Sequence, residues 1–525
     1  MNARNFLISP FTRPLRGVLI VLWAGVALLG MRCKPEEFSG GQYPDSIRTV
    51  LVGKCAGCHN RELRYGGLDL SSYTGLFQGS VNGAQIIPYN ARWSQLFWHV
   101  NQFSDLGPTI TSALRMPYRA VNGGFEPDTN ALLTRAQLEY LAAWINNGAP
   151  ARDGSRRWDL QETRATGKGF ALCQGSDLVA VIDLATNLTM RYIEVGVSPA
   201  LEGPHFITLS PDKQFFYVTL LTSGAVEKYS TVTYQKVGRL EGLTAAAHVH
   251  LSPDGTRGVV SHWATTETSL KLTLFNAETM TVLDQLRDNG QLTAKPHGFA
   301  WKRDKSFLIL TNNAGNFLTK VWLNGDRFDD DRVPEVIPIN PNYTGTAAVY
   351  QPYDILFNED ESKAYVTIYG SNSGDSSAMG LLDVASSTWD VILRKPALGE
   401  GLGRRPRLMS IIGDKLYVVC LLEQNFAQQG NRLGCVSILN RADLSWERNL
   451  YRVGNQPHGI AYDSRSGLLY ITSENQSGLD PPHHAVEGAV FNPGKINLFQ
   501  LPTGTRLDER EIEIPPYGAQ MVLVP

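Results

Sequence analysis

From residue 204 onward the chain repeats one alternation of apolar and polar positions. An apolar strand meets a polar turn with a charged tip, and a second strand rich in β-branched and aromatic residues follows. Six segments share this layout: Ile207-Thr208-Leu209 with Phe216-Tyr217-Val218-Thr219, Val249-His250-Leu251 with Val259-Val260-Ser261, and Phe299-Ala300-Trp301 with Leu308-Ile309-Leu310-Thr311. The others are Ile355-Leu356-Phe357 with Ala364-Tyr365-Val366-Thr367, Ser410-Ile411-Ile412 with Leu416-Tyr417-Val418-Val419, and Ile460-Ala461-Tyr462 with Leu469-Tyr470-Ile471-Thr472. Their turns hold Asp212, Asp254, Asp304, Asp360, Asp414 and, less regularly, Arg465, with successive tips 42, 50, 56, 54 and 51 residues apart. That is the spacing of propeller blades.

A seventh unit is split between the two ends of this region. Residues 169–172, 178–184 and 192–195 read as strands without a leading one, and residues 517–524 read as a leading strand without the rest. Pairing them makes a blade from both chain ends and removes the open edge a ring of sheets would leave. The expectation is an all-β seven-bladed propeller over residues 160–525, with an eight-bladed ring or a β-sandwich as alternatives. The Tyr-Val-Thr triplets at Tyr217 and Tyr365, with the Ser-Pro-Asp turns, resemble those of YVTN-type seven-bladed propellers.

Aligning the repeats brings a set of polar residues into one position. Seven residues before each tip stand His205, Ala247, His297, Tyr353, Arg407 and His458, and Tyr517 holds the same place in the split unit. His248 and His250 follow the lone alanine. First strands line a propeller's channel, so these side chains should converge at one mouth of it. His262 and the pair His483-His484, in a long insertion at 473–494, map to loops on the same face. Any one of these histidines is more simply a hydrogen-bonded structural residue. Together, imidazoles at a concave mouth suit a transition metal, copper or iron, or a haem.

The pattern before residue 160 is helical. Pro44-Asp45-Ser46 opens a short helix with Ile47, Val50 and Leu51 on one face. Thr134 and Gln137 form a capping box ahead of Leu138, Leu141, Ala142 and Ile145, and Gly148 ends that helix. Between them lies Cys55-Ala56-Gly57-Cys58-His59, a C-x-x-C-H: two thiols spaced to add to the two vinyl groups of one haem, and a histidine placed to bind its iron. A zinc knuckle or redox dithiol is the other reading, but no second CxxC or close Cys/His pair accompanies it. Met116, in Arg115-Met116-Pro117, is the candidate sixth ligand; His99 is its rival, and an open position is the third option. With Gly66-Gly67-Leu68-Asp69-Leu70, Ser94-Gln95-Leu96, Met116-Pro117 and residues 144–149, this region resembles the cytochrome c domain widespread in planctomycetes. The resemblance implies a small all-α domain over residues 40–151 carrying one covalent haem c.

Arg4, Arg13 and Arg16 precede an uncharged apolar stretch at residues 17–31, which is short for a membrane span. Residues 1–33 are therefore expected to act as a signal peptide or N-terminal anchor, with Cys33 placed where a lipoprotein cysteine would be. Export to the periplasm or the outer face of a membrane accords with haem attachment, and membrane contact is expected only through this segment. Cys420 and Cys435 flank a polar loop, as either a cross-hairpin disulfide or two buried thiols. A net charge of −2 gives no electrostatic case for nucleic acid.

The expected protein is multidomain: a small all-α cytochrome c domain followed by the propeller. The order resembles that of periplasmic nitrite reductases, and the channel histidines resemble those of nitrous-oxide reductases, though Tyr353, Arg407 and Tyr517 break an all-histidine ring and membership in neither family follows. The resulting expectation is extracytoplasmic electron transfer with a redox partner protein of a respiratory chain. His205, His297 and His458 would hold a metal or small-molecule substrate, Arg407 would neutralise an anionic ligand, and Tyr353 and Tyr517 would donate hydrogen bonds. In the alternative, the propeller is a docking module and the haem only relays electrons.

Overall fold

Runs such as Leu178–Asp183 and Phe307–Asn312 are buried at every position, which is why they read as unbroken apolar stretches rather than alternating ones: a middle strand of a blade is covered on both faces. The computed structural model describes residues 42–110, 115–122, 124–157, 165–263, 270–287, 293–371, 376–396, 400–423, 433–475 and 492–525. The leader at residues 1–33 and His483-His484 lie outside the described residues. Among the described residues no helix is long and apolar enough to cross a membrane.

Seven antiparallel sheets form the blades of a propeller, six of four strands and one of five. Their first strands are Pro204–Leu209, Ala246–Leu251, Pro296–Trp301, Pro352–Phe357, Arg404–Ile412, Pro457–Asp463 and Gly518–Val524. The last pairs with Lys168–Cys173, so the split unit closes the ring as the end patterns predict.

The turn aspartates have a local task. The Oδ1 atoms of Asp212, Asp254, Asp304 and Asp360 each accept the backbone N–H two residues on, at 3.0, 3.2, 2.9 and 3.0 Å, which fixes a tight turn. In the sixth blade that task falls to Asp463, which accepts from the Arg465 N–H at 3.1 Å. Arg465 is therefore not the equivalent of the aspartates.

Two features of the channel wall were not visible in the sequence. Every first strand, or the strand it pairs with, carries a register irregularity at the ring position, and a bulge re-aims side chains there. Second, the hydroxyl that ends the Tyr-Val-Thr triplet spans neighbouring blades. The Phe206 N–H donates to Thr219 Oγ1 at 3.0 Å, and that hydroxyl donates to the Ala247 carbonyl of the next blade at 2.6 Å. Ser261 repeats the arrangement, taking the His248 N–H at 3.2 Å and donating to the His297 carbonyl at 2.8 Å. Thr472 likewise takes the Gly459 N–H and donates to the Ala519 carbonyl.

The preceding residues form helices α1 (Asp45–Lys54), α2 (Tyr73–Leu76), α3 (Gln95–Val100) and α4 (Arg135–Asn146). Ile47, Val50 and Leu51 of α1 and Leu138, Leu141 and Ile145 of α4 are buried in one apolar core, and Thr134 and Gln137 make the reciprocal capping box. The region is not wholly helical: Tyr118–Val121 and Gly124–Pro127 pair as a hairpin. Nor is it detached, since Gly40–Pro525 forms one compact unit. The loop at residues 80–82 lies along the outermost strand of the sixth blade, where the Glu513 N–H donates to the Asn82 carbonyl at 2.9 Å and Arg510 donates to the Ser80 carbonyl.

Thr219→Val keeps the side-chain shape but strands the Phe206 N–H and the Ala247 carbonyl. A loss of about 2–3 kcal/mol in urea unfolding is expected, with Thr219→Ser close to wild type.

Candidate functional sites

The end of α1 and the loop after it deliver the CxxCH segment to the wall of a cavity of about 740 Å³. Cys55, Cys58, His59, His99 and Met116 all line it, with Leu68, Leu70, Leu96, Val100 and Leu133 supplying apolar surface. The His59 Nδ1 lies 2.9 Å from the Tyr65 carbonyl oxygen. An N–H donated there fixes the tautomer and leaves Nε2 as the basic nitrogen. Burial lowers the His59 pKa, opposed by that carbonyl, so the imidazole is held neutral. Burial pushes the Cys55 thiol up to about 11, with Lys54 opposing. A redox dithiol needs the reverse shift.

Met116 and His99 share one wall, the Met116 N–H donating to the His99 carbonyl at 2.8 Å. They are not equivalent. The His99 Nε2 lies 3.8 Å from the Glu513 carboxylate of the propeller, whereas Met116 packs half-buried against the helical core.

The second site is the ring. The structure brings His205, His248 and His297 together, with their ligand nitrogens all within 4.8 Å of one another. Ring centroids are 5.7 Å apart for His205 and His248, 4.0 Å for His248 and His297, and 6.3 Å for His205 and His458. The Tyr353 ring lies 4.1 Å from His297, and its hydroxyl is 3.3 Å from the His458 Nε2. Burial, reinforced by the neighbouring imidazoles, lowers the His248 pKa well below its ordinary value.

Several expectations change here. The cluster is buried rather than an open mouth: His205, His248, His297, Tyr353, Arg407 and His458 are each at most 3% exposed. His248, not Ala247, supplies the second blade's ring side chain. His250 lies against Phe206 and Phe299, at 4.9 and 4.7 Å between centroids. His262 is held by the Thr244 carbonyl at 2.7 Å and the Thr273 hydroxyl at 2.9 Å, a structural arrangement. Tyr517 does not hold the ring position expected of it: the strand Gly518–Val524 sets Ala519 level with His205, and Tyr517, at φ +61°, is the counterpart of Ala245, Lys295, Gln351 and Gln456, which precede the other first strands with positive φ. Cys420 and Cys435 are free buried thiols directly opposite each other on adjacent strands.

The residue that sequence reading missed is Glu474. It accepts from Arg407 Nη1 at 2.9 Å, with both side chains at most 2% exposed. Burial raises its carboxyl, and Arg407 opposes the shift. The expected role of Arg407 toward an anionic ligand therefore meets a competitor, because its charge is already balanced inside the protein. An arginine at a buried ring position was itself the signal that an acid must lie near.

No family model and no curated protein matches the chain. Among solved structures, a functionally unknown protein from Desulfotomaculum acetoxidans is 13% identical, with a TM-score of 0.46 over 66% of this chain and 99% of that one. Hydrazine synthase from Kuenenia stuttgartiensis is 14% identical, with a TM-score of 0.40 over 58% and 78%. Dihydro-heme d1 dehydrogenase NirN in complex with DHE is 11% identical, with a TM-score of 0.43 over 76% and 88%.

Glu474→Gln leaves the Arg407 charge buried and unbalanced, so a loss of about 3–5 kcal/mol in denaturant unfolding is expected. Arg407→Met combined with Glu474→Leu should recover most of it.

Proposed function

We propose that the helical region is a cytochrome c domain and that the protein transfers electrons through one covalent haem c outside the cytoplasm. The observation that carries this reading is the coincidence of CxxCH, a methionine and an apolar cavity of about 740 Å³ in one place. Haem c supplies one-electron Fe(III)/Fe(II) chemistry when bound. Cys55 and Cys58 would attach it by thioether bonds, each thiol adding across a vinyl group. His59 would bind the iron on one side, oriented by the Tyr65 carbonyl. Met116 would bind on the other, and the leucine-rich wall would keep water from the site. Both the thioether and the apolar surround favour a raised potential, suited to electron transfer.

His99 is the weaker candidate because its Nε2 is drawn toward Glu513. Export by the leader, a retained or lipidated N-terminus and a respiratory redox partner complete the proposal.

Cys55→Ala with Cys58→Ala should abolish haem that survives a denaturing gel. Retention of that haem would remove the assignment. Met116→Ala should erase the weak far-red thioether band of the oxidised protein and lower its reduction potential. A spectrum that ignores Met116 but changes in His99→Ala would reassign the sixth ligand.

A further inference from the structure

We infer that His205, His248 and His297 form a binding site for a single copper(I) ion on the propeller axis. Four observations converge on it. Three imidazoles at bond lengths of about 2.0 Å to one metal stand about 3.5 Å apart, nitrogen to nitrogen. Their ligand nitrogens already lie within 4.8 Å of one another, so closure needs side-chain shifts of under about 1 Å each, without backbone rearrangement.

His248 is the second observation. It is fully buried, and neither ring nitrogen has a hydrogen-bond partner. An unsatisfied buried polar atom costs about 1–3 kcal/mol, and coordination would use the nitrogen lone pair that the protein leaves idle. Its face stacks on Phe206 at 4.0 Å between centroids, which fixes the ring plane.

Third, the neighbouring imidazoles are held by their far nitrogens. The His297 Nδ1 is 3.0 Å from the Tyr353 carbonyl, and the His205 Nδ1 is 3.3 Å from the Gln174 side-chain amide. A carbonyl on Nδ1–H makes Nε2 the basic nitrogen, the usual outer support of a ligating histidine. For His205 the same result requires the amide to present its oxygen.

Charge chooses the ion. The three donors are neutral nitrogens, with no carboxylate or thiolate among them. Arg407 and Glu474 nearby balance each other. The cost of burying an ion rises with the square of its charge, so a monovalent ion costs about a quarter as much as a divalent one. Imidazole suits copper, while a non-haem iron site of the common facial type needs a carboxylate beside two histidines. His458 stays outside the triad, its Nε2 engaged with the Tyr353 hydroxyl. The inference does not rest on the haem reading.

The test uses the purified full-length chain and its Cys55→Ala/Cys58→Ala form, titrated anaerobically with copper(I) against a chromophoric copper(I) chelator. One equivalent should bind in both forms, which separates this site from the CxxCH thiols and from any failure of the haem assignment. His248→Ala and His297→Gln should each weaken binding at least about 100-fold, and His262→Ala should not. X-ray absorption of the loaded wild-type protein should show three nitrogen donors and no sulfur, which keeps the test decisive if a variant fails to fold. The assignment is overturned by absence of a one-to-one site, by sulfur donors, by a His248→Ala protein that binds like wild type, or by a site that takes zinc(II) and refuses copper(I).

Discussion

The pairing of Gly518–Val524 with Lys168–Cys173 is the constraint on which the rest of the propeller depends. Seven sheets can surround an axis without an exposed edge only if the last one closes on the first. Closure here joins residues about 350 positions apart by ladder hydrogen bonds and shared apolar packing, with the loop-closure entropy that such a separation carries. It also brings Ala519 to the ring position, where its carbonyl accepts from the Thr472 hydroxyl. Without this seam the polar ring would lack one wall.

Within the closed ring, neighbouring blades meet through hydroxyls. Thr219, Ser261 and Thr472 each accept an N–H from the first strand of their own blade and donate to a carbonyl at the next blade's ring position. The bulged backbone there has donors and acceptors that a regular ladder would have paired, and burial forbids leaving them to water. Satisfying them from the second strand lets the bulge turn imidazoles into the axis. A structural repeat element thereby sets the geometry of the polar cluster. Val419 and Leu172 hold the equivalent positions in two blades that lack the hydroxyl.

The helical region follows a different logic. Its cavity is made by short segments, with α1 and the next turn on one side and the residue 116–133 segment on the other. The apolar residues around it pack as a core of their own. Contact with the propeller is carried by backbone hydrogen bonds from residues 80–82 to the outermost strand of the sixth blade, and by Glu513, whose backbone carbonyl accepts from the Gln95 amide at 3.3 Å and whose carboxylate lies 3.8 Å from the His99 Nε2.

Local patterns determined the elements. Period, turn chemistry and capping residues act over a few positions, so the blade count, the split blade, α1, α4 and the CxxCH segment were all legible in the chain. The seven-residue offset to each turn tip even located His205, His297, Tyr353, Arg407 and His458 on one ring. Tertiary structure decided what depends on distance in space. Ala247 stands where the other blades carry a ring side chain but has no imidazole, and the neighbouring His248 joins the cluster instead. Packing sealed the cluster from solvent, where the pattern had implied an open mouth. Glu474 met Arg407 from 67 positions away, a pairing that no local rule encodes and that only the cost of a lone buried charge enforces.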